Sequence, residues 1–411
     1  MKQKRTSVIL GTLVLIAAAI LLPLPPRWFP TAVLTAQAAA KSPLNYTSKH
    51  ILKGHSFELK VDTQKKVVFS SKSPSVASVS GRGKVKGKKA GTAVIVAKVG
   101  KKRYQCLVTV SDTVDLILFA GQSNMTGRGD AALAPTLTDG AGYECKVVTD
   151  ANHLLPITEP FGKGQDSGTM RDGSYRTGSL VTAFTNAYYK QTKVPLVGVN
   201  ATVVGSGRVS WSTIHYKEAA RRLSKAKKSI ERQKLKIGHV FVVYMQGEND
   251  GFAGSTAKEY TESLKLFYKN LSKKTDVDAC LVIRIGKYTQ QPSLYNPILK
   301  AQTKLCKEDK NFVLVSVKAA SMSDSYYQQD GLHITQQGLN LIGAEAGKNA
   351  GKYARTGKQP SMKDEKYHNT YTPDRPKPDE KSEKDDPVKI DETTDTHVTV
   401  DTPLTVGSVE E

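Results

Sequence analysis

The chain has 411 residues, 39% of them hydrophobic, and 60 Lys and Arg against 38 Asp and Glu give a formal net charge of +22. That length holds two or three domains, and the composition suits globular folds with solvated tails rather than a chain disordered throughout. The four cysteines, Cys106, Cys145, Cys280 and Cys306, form no CxxC pair and no metal-ligand spacing, which argues against a cysteine-built metal centre.

The charge is unevenly spread. Residues 41–112 hold 16 basic and 3 acidic side chains, whereas residues 373–411 hold 5 basic and 12 acidic. A basic segment of this kind attracts polyanions without selecting one. For an exported chain the expected partner is an anionic cell-wall polymer or acidic glycan rather than nucleic acid.

Export is what the N-terminus suggests. Lys2, Lys4 and Arg5 precede an apolar run over residues 8–24, and small residues follow at Ala36, Ala38 and Ala40. This is the order of a signal peptide, expected over residues 1–40, and it makes the mature chain secreted or surface-associated. Pro25-Pro26-Arg27-Trp28 lengthens the gap before the cleavage site, so retention as an N-terminal anchor is the competing expectation. No later segment is apolar for the ~20 residues that a membrane span needs.

Residues 41–112 read as all-β. Short apolar runs at 57–61, 67–70, 92–99 and 104–110 are separated by Gly, Ser, Lys and Pro. The stretch Ser73-Pro74-Ser75-Val76-Ala77-Ser78-Val79, then Gly81-Arg82-Gly83-Lys84-Val85, then Ala90-Gly91-Thr92-Ala93-Val94, resembles the bacterial Ig-like group 2 module. The resemblance implies a small β-sandwich serving as spacer or adhesive stalk, without catalysis.

From residue 113 the rhythm becomes strand–helix alternation. Apolar runs at 115–119, 196–204, 239–244, 279–285 and 312–317 read as buried parallel strands. Helical periodicity falls at 178–191, 216–233, 257–273, 296–306 and 336–354. A three-layer α/β/α domain with about five parallel strands is expected over 113–355. Residues 132–176 read as long loops. Cys280 and Cys306 should share one strand–helix unit, as a disulfide or as buried thiols. Residues 356–411, rich in Pro, Lys, Asp, Glu and Thr, read as a disordered tail.

Four polar turns carry the chemistry. Gly121-Gln122-Ser123-Asn124-Met125 follows the first α/β strand and can expose a hydroxyl at the carboxyl edge of the sheet. Read alone, a Gly-x-Ser turn after a strand is more often a helix N-cap. Gly205-Ser206-Gly207-Arg208 follows the next strand and can bring a backbone N–H close to a substrate oxygen. Gln246-Gly247-Glu248-Asn249 offers two neutral amides, Gln246 and Asn249, as donors to an oxyanion. In Asp330-Gly331-Leu332-His333 the aspartate can orient the histidine, which a serine nucleophile needs as its base.

In the order Ser, Gly, Asn, Asp–His these turns resemble the blocks of SGNH hydrolases, and most closely the sialate O-acetylesterase type of carbohydrate esterase. The resemblance implies Ser123 as nucleophile, His333 as base and Asp330 as its orienting acid. The implied oxyanion donors are the N–H groups of Ser123 and Gly205 or Gly207, with Asn249 or Gln246 completing the hole. The implied substrate is an acetylated carbohydrate, with no cofactor and no metal. Gln122, Arg128, Trp211 and Glu248 are further candidates for substrate binding: Arg128 for a carboxylate or as a loop brace, Trp211 for a sugar ring or as core. Two rival readings are a non-catalytic glycan- or wall-binding surface protein and a lipase-like short-chain esterase of the same fold.

Overall fold

The computed structural model describes residues 42–171 and 175–362. The expected signal segment and residues 363–411 of the expected tail lie outside the described residues. No helix among the described residues is long and apolar enough to cross a membrane.

The N-terminal part is a β-sandwich. Strands β1 (Ser48–Leu52), β2 (Ser56–Glu58), β3 (Val67–Ser71), β4 (Ala77–Val79), β5 (Lys84–Gly87), β6 (Gly91–Val99) and β7 (Lys102–Ser111) form two sheets, ordered β1-β7-β6-β3 and β2-β5-β4. Alternation makes the core: in β5, Lys84 and Lys86 are exposed while Val85 is buried among Leu59, Ala77, Ile95 and Val108.

The second part is a doubly wound domain. It comprises β8 (Thr113–Gly121), α1 (Ser123–Thr126), β9 (Gly142–Lys146), β10 (Asp150–Pro156), α2 (Val181–Thr192), β11 (Leu196–Thr202), α3 (Arg208–Ser210) and α4 (Tyr216–Arg232). Then follow β12 (Lys236–Met245), α5 (Glu248–Phe252), α6 (Ala257–Thr275), β13 (Ala279–Ile283), α7 (Asn296–Glu308), β14 (Phe312–Ser316), α8 (Lys318–Ser321) and α9 (Gln336–Thr356). The sheet order is β10-β9-β11-β8-β12-β13-β14, parallel except for β10. The five expected strands are present, with two more inside the segment expected to be loops. β9 joins the parallel ladder beside β11, and β10 folds back on β9.

β8 sits at the centre and both of its faces are buried. Leu116, Leu118 and Ala120 pack on the layer of α4, α6 and α7, while Ile117 and Phe119 pack on α2 and α9. Each such Leu, Ile or Phe contributes about 1.5–3 kcal/mol by burial. Helices α2 and α9 approach closely because α9 presents glycine: a Cβ on Gly347 would lie 2.1 Å from the Phe184 carbonyl oxygen. From β8 the chain winds first to β9 and β11 on one side, then to β12, β13 and β14 on the other. That reversal places a crevice at the carboxyl end of β8.

The sandwich is packed against this domain rather than held away from it. Only Asp112 separates β7 from β8. Leu52 belongs to the buried cluster that includes Val114 and Leu116. His50 shares hydrogen bonds with Tyr189 Oη at 2.5 Å and Ser111 Oγ at 2.7 Å, and its N–H donates to Asp139 at 2.6 Å. Lys49 pairs with the same Asp139, and His55 Nε2 meets Gln233 Oε1 at 3.0 Å. The four cysteines are free and buried, so Cys280 and Cys306 are thiols and not a disulfide. Burial pushes the Cys106 and Cys145 thiols up to about 11.

Candidate active site

Ser123 is positioned by the end of β8. Gly121 has φ +147°, and a Cβ there would lie 2.0 Å from the Met245 carbonyl oxygen. Only glycine lets β8 turn this tightly against β12. Ser123 then opens α1, so its N–H has no intrahelical acceptor.

His333 reaches Ser123 from the loop before α9, with Nε2 2.9 Å from Ser123 Oγ. Its Nδ1 lies 2.5 Å from Asp330 Oδ2. The other Asp330 oxygen accepts the N–H groups of Leu332 and His333, each at 2.9 Å. Burial works to raise the Asp330 carboxyl, but the bonds from His333 and these N–H groups outweigh it and hold the carboxyl below its ordinary value. His333 is lowered, chiefly by burial, against the raising effect of Asp330 and with a smaller push from the Arg128 guanidinium. Arg128 leans over the ring, its Nη1 3.0 Å from Nδ1 and 3.3 Å from Nε2, and stacks on Tyr175 at 5.0 Å.

Asn124 was not singled out as a site residue, yet it ties three turns together. Its Oδ1 accepts the Ile334 N–H at 3.1 Å, and its Nδ2 donates to Glu248 Oε1 at 2.8 Å. Its place inside the motif beside Ser123 is the signal that could have found it. Asp250 is a second such residue. It accepts the Arg208 N–H at 3.0 Å and the Gln246 amide at 2.5 Å, fastening the glycine turn to the turn after β12.

Asn249 and Gln246 have different surroundings. Gln246 is fully buried, and its Nε2 donates to Asp250, to the Ser206 carbonyl at 2.9 Å and to Gln122 Oε1 at 3.3 Å. That amide is committed to the framework. Asn249 is exposed, and a Cβ on Gly207 would lie 3.6 Å from its Nδ2. Gly205 stands on the same turn in the left-handed region, φ +69°, with open space around it.

Three of the expected substrate contacts face inward instead. Gln122 is buried, its Oε1 accepting from Gln246 and from the Asn249 N–H at 3.4 Å. Glu248 is buried against Asn124, and burial raises its carboxyl. Trp211 is 1% exposed, packed edge-on against Tyr244 and Phe267, with Nε1 donating to Ser206 Oγ at 2.8 Å. It closes the core and clamps the glycine turn, so it offers no face to a sugar. Arg128 alone of the four lies beside His333.

Residues 113–352 match the family described as carbohydrate esterase, sialic acid-specific acetylesterase, and residues 44–110 match the bacterial Ig-like domain (group 2). Comparison with curated proteins found no match. Among solved structures, an Arabidopsis thaliana protein is 18% identical with TM-score 0.45, over 59% of this chain and 98% of its own. A carbohydrate acetylesterase from Xanthomonas citri is 13% identical with TM-score 0.38, over 77% and 75%. A variant of an acetyl-xylooligosaccharide esterase from Geobacillus is 13% identical with TM-score 0.32, over 56% and 91%.

The α/β/α domain is an ester hydrolase that acts on carbohydrate. The chain belongs to the sialic acid-specific acetylesterase family of carbohydrate esterases, so its activity is that of a carbohydrate O-acetylesterase carried beside an Ig-like module.

Proposed function

We propose that this enzyme is an exported serine esterase that cleaves O-acetyl groups from carbohydrate through an acetyl-enzyme. The observation that carries the mechanism is the Ser123 Oγ–His333 Nε2–Asp330 alignment, at 2.9 and 2.5 Å. Ser123 attacks the acetyl carbonyl as His333 takes its proton, and Asp330 holds the ring and stabilises the imidazolium. The oxyanion is met by the N–H of Ser123, an N–H of the Gly205–Gly207 turn and the side-chain amide of Asn249. His333 then returns the proton to the departing sugar hydroxyl. Water, activated by the same ring, releases acetate and regenerates Ser123. Acetate release from a panel of acetylated glycans, with mass spectrometry for a 42 Da adduct on the Ser123 peptide, tests this reading. Turnover with an adduct elsewhere, or undiminished in Ser123→Ala, would overturn it.

Export rests on the basic, apolar and small-residue order of the first forty positions. Fractionation of producing cells, with N-terminal sequencing of the extracellular protein, tests it; a chain confined to the cytoplasm refutes it. The Ig-like module is the proposed seat of attraction to anionic wall polymers, because its exposed side chains include Lys65, Lys66, Lys84, Lys86, Lys88 and Lys89. Retention on isolated walls should fall with salt, since screening at ~0.15 M shortens the reach of exposed charge to about 8 Å. Salt-independent retention would exclude that role.

A further inference from the structure

The rim of the site carries aromatic rings that the chemistry just described does not use. Phe252, the last residue of α5, is 48% exposed. In the same helix Glu248, Asp250 and Gly251 are buried. Asn249 and Phe252 are both exposed and three residues apart, a spacing that puts them on one helix face with Cβ atoms about 5–6 Å apart. Phe252 meets Tyr288 at 5.2 Å and 66°, and Tyr295 at 5.4 Å and 81°. The segment bearing Tyr288 is in turn fastened to the base arm, where the Thr289 N–H donates to the Gly331 carbonyl at 2.9 Å. Phe252 is therefore held by two neighbouring rings, one of them next in the chain to the residue bonded to Gly331, and it shares a helix face with Asn249.

A single exposed apolar side chain on a protein surface needs no explanation. A ring braced by two others, on the same short helix as the proposed oxyanion amide, is a rigid apolar plane. The acyl group is only an acetyl, so the alcohol portion of the ester must project over this rim. A pyranose carries a face of polarised C–H groups, which suits the negative face of an aromatic ring, while its hydroxyls point outward to water.

We propose that Phe252, braced by Tyr288, is the platform on which the acetyl-bearing pyranose ring rests. The platform selects cyclic sugar acetates over acyclic acetates, and it rests on the reading of Ser123 and Asn249 as the reacting centre. The test compares kcat/KM for a mono-O-acetylated methyl pyranoside with that for vinyl acetate, which has no ring to stack. Phe252→Ala should lower kcat/KM for the pyranoside about tenfold, mainly through KM, while changing vinyl acetate by less than about twofold. Phe252→Tyr should restore the pyranoside value. Equal loss on both esters would mean that Phe252 only stiffens α5, and an unchanged pyranoside value would mean that no ring rests there; either overturns the platform. Ser123→Ala run alongside separates the two levels. If it still cleaves vinyl acetate, the centre itself is misassigned and the platform falls with it.

Discussion

Asn124 accepts the backbone N–H of Ile334 at 3.1 Å. The residue after the proposed nucleophile is thus bonded to the residue after the proposed base, although 210 positions separate them in the chain. The same side chain donates to Glu248 at 2.8 Å, so the turn after β12 joins the bond between the other two. The spacing of Ser123 and His333 is set by a part that touches neither hydroxyl nor imidazole.

Removing that part should loosen the alignment without removing any reacting group. Asn124→Ala is expected to lower kcat by about a hundredfold with KM changed far less, since an ångström of misplacement has that effect. Glu248→Gln keeps an oxygen acceptor for Asn124 and relieves a buried carboxyl, so it should retain far more activity than Glu248→Ala. Steady-state kinetics on a soluble acetate ester decide both; equal activity of the two Glu248 variants would refute the relay.

The reacting groups themselves should behave as a unit. Ser123→Ala is expected to lower kcat by a factor on the order of 10⁴ or more while the melting temperature stays close to that of the parent. Asp330→Asn and His333→Ala should each be severely impaired. The double variant should lose much less than the product of the two single losses. Independent, multiplicative losses would show that Asp330 does not act through His333.

Much of this was legible in the sequence. The run leading into Gly121 and the close spacing of Asp330 and His333 express local chemistry that a reader can see. β9 was not legible because its burial is unlike its composition, and β10 because it is an edge strand, mostly exposed, with Leu154 its one buried side chain. Glu144 lies in the middle of β9 yet is buried, accepting the Gly162 N–H at 3.1 Å with its carboxyl pushed up to about 7 by burial. A strand whose inner face includes a carboxylate shows no apolar periodicity. The sequence leaves Trp211 open between sugar and core and Gln246 open against Asn249, and it does not show that Gln122 and Glu248 are buried, for a related reason. Each is a polar or aromatic residue whose partner comes from a turn distant in the chain, and nothing local tells whether it faces a ligand or the framework.

The two amides after β12 can be separated by experiment. Asn249→Ala should lower kcat by about 10²–10³ with an unchanged melting temperature, the behaviour of an oxyanion donor. Gln246→Ala should instead destabilise the fold by about 1–3 kcal/mol, because it strands buried acceptors at Asp250 and Ser206. Thermal denaturation and kcat measured on both variants give the answer, and the reverse pattern would assign the hole to Gln246.

The pH profile carries a sign that follows from the surroundings of His333. As the proposed base, His333 works when neutral, and burial lowers its affinity for a proton. The acid limb of kcat/KM should therefore lie below the ~6.5 of an ordinary imidazole. The charged groups facing the ring are Asp330, which raises it, and Arg128, which lowers it. Arg128→Met removes a cation that disfavours the imidazolium, so its acid limb should move to higher pH. A limb that stays in place, or moves down, would show that Arg128 does not act on His333.

The single residue between β7 and β8 has a mechanical meaning. A binding module on a long flexible linker lets its enzyme sample a sphere of surface, and linker length sets the local concentration of the enzyme. Here the sandwich and the sheet that presents Ser123 share a strand junction, the Leu52 contact and the His50–Tyr189–Asp139 bonds. Whatever the sandwich grips fixes the heading of the crevice as well as its whereabouts. On the proposed wall-binding role of the sandwich, the pair would act as a bracket rather than a leash, working the ester groups that stand at one height and one angle above the gripped surface and passing over those beneath it.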